Sequence, residues 1–127
     1  MISLPLIIWI LFVHWVADFV CQSRGVAIDK SKDNWALSYH TGIYSWVLTL
    51  GVFIYAALAH WDINKVWGVF VFVLINGAVH WATDYFTSRL NAKLWAKTHY
   101  HNFFVSIGFD QWIHAATLLT TAWYILS

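Results

Sequence analysis

Three of the six acidic residues, all aspartates, stand four positions from a histidine inside apolar stretches: His14/Asp18, His80/Asp84 and Asp110/His114. On a helix that spacing places both side chains on one face, about one turn apart. Imidazole and carboxylate together suit Zn²⁺, Mn²⁺ or Fe²⁺. Catalytic zinc takes three protein ligands and a water. Such a water ionises near roughly pH 7 and attacks a phosphoryl or carbonyl centre. The pattern points to metal-assisted hydrolysis, with His14, His80 and His114 as ligands. Asp18, Asp84 and Asp110 would be further ligands, partners that orient the imidazoles, or a general base. With His40 as a fourth imidazole, the set suffices for one ion or a bridged pair.

The surroundings sharpen that reading. An ionised Asp at the centre of a bilayer costs roughly 2.5–3.5 kcal/mol. A hydrogen bond between membrane helices returns only about 0.6 kcal/mol. A polar network that merely fixes helix register would be built more cheaply from Asn, Ser or Thr. That network and a proton or divalent-ion path remain the alternatives to a metal site.

The elements that carry these pairs are long and apolar. The 127 residues are 61% hydrophobic and 10% charged, with 10 Trp, whereas a soluble domain carries about 25% charged residues. The chain reads as one integral membrane domain, all-α, over residues 1–127. About 20 apolar residues cross a bilayer core, and four segments qualify, at about 2–22, 37–59, 63–86 and 103–126. No Lys or Arg precedes the apolar run Ile2–Phe12 and no small-residue cleavage site follows it, so the first segment reads as a mature span. Between the third and fourth segments, Leu90 and Leu94 alternate with Arg89, Lys93 and Lys97, which predicts a short amphipathic helix in the interface. The expectation is a four-helix transmembrane bundle with that interfacial helix before the last span. The net charge of +1 comes with no concentrated basic patch, and no nucleic-acid partner is expected.

Six of the seven Lys/Arg residues fall in the first and third links, and only Lys65 lies on the other side. The positive-inside rule then sets those links in the cytoplasm and both termini outside. In that orientation each of the three pairs lies in the cytoplasmic half, with the His deeper and the Asp nearer the mouth. Three histidines should form a layer about 6 Å beneath three aspartates. His40 and Tyr44 extend the second segment's face, Asn76 the third's and Gln22 the first's. A polar pocket there suits an amphiphilic substrate, such as a lipid head group or an isoprenoid phosphate.

Other residues have simpler readings. His60, Asp62, His99 and His101 read as solvated loop residues, and lone Cys21 as a packing residue. Arg24, Lys30 and Lys32 are topology determinants that could also grip a phosphate. Gly42, Gly51, Gly68 and Gly77 read as close-packing positions.

Three runs carry a resemblance: His14-Trp15-Val16-Ala17-Asp18-Phe19-Val20-Cys21-Gln22, the stretch from His80 to Leu90, and the stretch from Phe103 to His114. Together they resemble the motifs of a family of small bacterial and phage membrane proteins, domain of unknown function 3307, over nearly the whole chain. The resemblance implies a membrane protein of bacteria or their phages and carries no activity. A bacterial inner-membrane location is expected, and a non-enzymatic phage or host interaction protein, its polar cluster merely holding the bundle together, is a further alternative. The His/Asp motifs are also loosely similar to those of membrane-bound metal-dependent hydrolases.

Overall fold

The computed structural model describes residues 2–127, apart from the side chain of Asn64. Among them there is no β-strand. Helix α1 (Leu4–Trp15) starts on the Ser3 hydroxyl, which accepts from the Leu6 N–H, and passes into a π-helical turn at Val16–Val20. Short helix α2 (Arg24–Asp29) begins at Ser23, whose hydroxyl accepts from Val26 N–H. Helix α3 (Asn34–Leu58) is capped by Asp33, whose two carboxylate oxygens take the N–H groups of Trp35 and Ala36. A 3₁₀ turn at Ile63–Lys65 leads into α4 (Val66–Ala96). Helix α5 (Tyr100–Thr121) ends in a second π-helical segment, Ala122–Leu126.

The four long helices close into a ring: α1 packs on α3, α3 on α4, α4 on α5, and α5 on α1. Two of the three links between the long helices use a left-handed residue that is not glycine. At the end of α3, His60 has φ 52° and Trp61 N–H returns to the Ala56 carbonyl. At the end of α4, Thr98 has φ 59° and His99 N–H returns to the Leu94 carbonyl. These close the open carbonyls of each last turn.

The expected separate interfacial helix before the last span does not form. The stretch from Thr87 to Ala96 continues α4 without a break, because its period-four pattern runs on from that of α4 and no Gly or Pro interrupts it. At about 1.5 Å per residue, the 31 residues of α4 make a rod of about 46 Å. The short helix of the molecule lies instead in the first link, as α2.

Two helices, Asn34–Leu58 and Val66–Ala96, are long and apolar enough to cross a membrane, and the apolar stretch Leu4–Val20 is shorter. Helix α5 interrupts its apolar run with Asp110, Gln111 and His114. The packing polarity is inverted along the helix midsections. Phe12, Trp46, Leu50, Leu74, Phe104 and Trp112 face outward, while His40, Asn76, His80 and Asp84 are buried. Below the polar group lies an apolar core that includes Leu6, Ile10, Leu48, Val52, Val69, Phe72 and Leu118.

Candidate metal centre

Each of the seven singled-out side chains is buried: His14, Asp18, His40, His80, Asp84, Asp110 and His114 are all at most 8% exposed. They form one connected cluster drawn from all four long helices. His80 Nε2 lies 3.6 Å from Asp84 Oδ2 and His114 Nε2 lies 3.4 Å from Asp110 Oδ2, so both pairs meet across one helical turn.

The first pair behaves differently. Asp18 lies in the π-helical turn, where Cys21 N–H reaches back five residues to the Val16 carbonyl at 2.9 Å. The wider turn shifts Asp18 from the α-helical i+4 position. Its Oδ1 meets His40 Nε2 at 3.1 Å and His80 Nε2 at 3.5 Å. His14 Nε2 instead contacts Gln111 Oε1 at 3.0 Å.

Four atoms converge most closely: Asp18 Oδ1, His40 Nε2, His80 Nε2 and Asp84 Oδ2. His40 Nε2 lies 3.0 Å from His80 Nε2 and 3.5 Å from Asp84 Oδ2. A tetrahedral ion with bonds of about 2.0–2.2 Å has ligand–ligand edges of about 3.3–3.6 Å. Five of the six separations among these groups run from 3.0 to 3.6 Å, and all four atoms lie within 4.8 Å of one another. Two imidazole nitrogens 3.0 Å apart share at most one proton between them. Lone pairs converging in this way suit a cation.

A second group consists of Asp18, Asp110 and His114. Asp18 belongs to both groups. Asp84 also reaches both sides, its Oδ1 lying 3.3 Å from His114 Nε2. His14 belongs to neither, so of the residues singled out from the sequence it lies furthest from a ligand position.

Charge supports the same reading. Among the cluster residues and their ion-pair partners, three carboxylates face one ammonium, Lys30, whose Nζ lies 2.7 Å from Asp84 Oδ2. Two negative charges are left over. Either two of the imidazoles carry protons or a divalent cation supplies the balance; buried ions without partners cost several kcal/mol each, roughly.

The aspartates line a cavity of about 500 Å³ whose walls include Phe19, Ile28, Trp95, Phe103 and Ile107. The histidines lie beneath it. His114 stacks on His80 at 4.2 Å, and Tyr44 stacks on the opposite neighbour position of His80 at 3.9 Å. The three aspartates thus line the cavity while the cluster histidines do not, and His and Asp side chains meet at 3.1–3.6 Å.

The profile of the family described as Protein of unknown function (DUF3307) matches residues 6–127. The chain belongs to that family. No curated protein and no solved structure matches it.

In this DUF3307 chain two partners of the cluster, Gln111 and Thr87, are not among the residues that motif spacing singles out. Gln111 donates from Nε2 to Asp18 Oδ2 at 2.9 Å and to Asp110 Oδ2 at 3.1 Å. Thr87 donates to Asp110 Oδ1 at 2.6 Å. Lys30, expected as a topology determinant that could also grip a phosphate, sends its side chain into the cluster. Gln111 follows Asp110 directly, and Thr87 is three residues beyond Asp84. Their positions beside two of the motif aspartates were the available signals. Asn76 makes a separate contact, donating to the Phe72 carbonyl and to Thr121 Oγ1.

Proposed function

We propose that this chain is a metal-dependent hydrolase of the bacterial inner membrane, acting on an amphiphilic substrate with a lipid-like or isoprenoid phosphate-like head. The observation that carries the proposal is the convergence of Asp18, His40, His80 and Asp84, with five separations of 3.0–3.6 Å that lie at or just under tetrahedral edge lengths. That set would hold one Zn²⁺, Mn²⁺ or Fe²⁺ ion. Asp110 and His114, with Asp18 shared, accept a second ion. Without it, Asp110 lines the cavity where a base would take the proton of an attacking water. A metal-activated water and a cavity with apolar walls over a carboxylate floor together favour hydrolysis of a polar head on an apolar tail.

Four spans, one domain and an inward-facing cavity complete the proposal. The outward Trp, Phe and Leu side chains support contact with lipid. Lys30 and Lys32 line the cavity, and Arg89 reaches Asn34 at the same end. The positive-inside rule makes that end cytoplasmic. Ion or proton conduction is the weaker reading, because the apolar core from Leu6 to Leu118 lies between the cluster and the far end.

Metal analysis of the detergent-purified protein tests the proposal. Wild type reconstituted with Zn²⁺ should hold at least one ion per chain. His40→Ala and His80→Ala should lose it, while His99→Ala keeps it. A folded wild type that retains well under one ion per chain would remove the metal reading.

A further inference from the structure

Lys30 engages one oxygen of the candidate metal set. Its Nζ lies 2.7 Å from Asp84 Oδ2, and that same oxygen belongs to the tetrahedral set with His40 and His80. An ion bound to Oδ2 at about 2.1 Å would therefore stand within about 5 Å of the ammonium. Asp84 is buried, so the two positive charges would be poorly screened and would repel.

The ammonium has somewhere to go. Lys30 caps α2, a short helix with no buried residue, and its long side chain lines the cavity. Gln22 and Asn91 line the same cavity, and the side-chain oxygens of both are buried without a hydrogen-bond donor. Unpaired acceptors of this kind are costly to leave unmade, and an ammonium offers three donors.

Resting on the metal reading above, we propose that Lys30 is a resident counter-cation which a divalent ion displaces from Asp84. The freed ammonium then moves to the oxygens of Gln22 and Asn91 and binds the phosphate of the substrate in the cavity. The metal thus creates the anion site as it binds. Before that, an anionic head group meets three carboxylates in the cavity lining, and the ammonium closest to them, Lys30, is held by Asp84. Phosphate recognition and metal loading are coupled through one side chain.

Two measurements test this on the full chain in detergent. In the first, wild type is treated with an amine-acylating reagent with and without stoichiometric Zn²⁺, and modification of Lys30 is compared with Lys32 by peptide mass spectrometry. Lys30 should be at least tenfold protected without metal and lose that protection when Zn²⁺ binds. In the second, Zn²⁺ and inorganic phosphate binding are measured for wild type and Lys30→Met. The variant should bind Zn²⁺ at least tenfold more tightly, and its Zn²⁺-loaded form should bind phosphate at least tenfold more weakly. Zn²⁺ bound to wild type with Lys30 still protected would overturn the displacement alone and leave the metal centre standing. Failure of both wild type and Lys30→Met to bind Zn²⁺ would overturn both.

Discussion

Gln111 joins two carboxylates that would otherwise repel. Its amide nitrogen bridges Asp18 Oδ2 and Asp110 Oδ2, and its oxygen contacts His14 Nε2. With the amide oxygen accepting, His14 carries its proton on Nε2 and has no free Nε2 lone pair for a metal. That explains how a motif histidine can be buried here without being a ligand. Replacing Gln111 by Leu removes both donors from buried acceptors, and a hydrogen bond to a charged group is worth about 1.5–3 kcal/mol. Metal-free Gln111→Leu should therefore unfold at a clearly lower temperature than wild type. Saturating Zn²⁺ should narrow the gap, since an ion would hold Asp18 and Asp110 in the amide's place. Thermal scans of both proteins, with and without Zn²⁺, check this.

Among elements, α1 and α3 approach closely at Gly51. A Cβ on Gly51 would stand 2.6 Å from both methyl carbons of Val13, and the Gly51 carbonyl accepts from Trp9 Nε1 at 2.8 Å. Val13 is β-branched and has little rotamer freedom to yield. Gly51→Ala should cost about 1–3 kcal/mol by overpacking. Gly42 meets nothing within 4 Å, so Gly42→Ala should gain up to about 1 kcal/mol in helix propensity. Chemical unfolding of the two variants gives the comparison. Both glycines looked alike as close-packing positions in the sequence, because spacing reports a face and not the distance to a neighbour. The same limit explains the other differences. The pairs at His80/Asp84 and Asp110/His114 were legible since a regular helix fixes their geometry. The π-helical turn at Val16–Val20 was not, since it depends on how α1 packs, and it aims Asp18 at His40. The break expected after Phe86 failed because α4 had no local reason to stop there.

At the scale of the whole molecule the two ends differ. One end carries the cavity, α2 and most of the basic residues, and the other carries Trp61 with Lys65 over its ring at 5.2 Å. If the basic end is cytoplasmic, Cys21, the single cysteine and an exposed one, lies on the inner face. A membrane-impermeant maleimide should label it in lysed but not intact cells. In a Cys21→Ser background, Ser127→Cys should be labelled in intact cells; the reverse pattern would invert the orientation. The dry apolar half has a consequence for how this family can vary. It asks only for interlocking shape, so its Leu, Ile and Val positions can drift together provided total volume is kept. The polar half has less latitude, because a change at Asp18, Asp84, Asp110 or Lys30 alters a charge balance shared across the whole cluster. One half of the bundle is therefore free to wander, while those four residues of the other must change in concert or not at all.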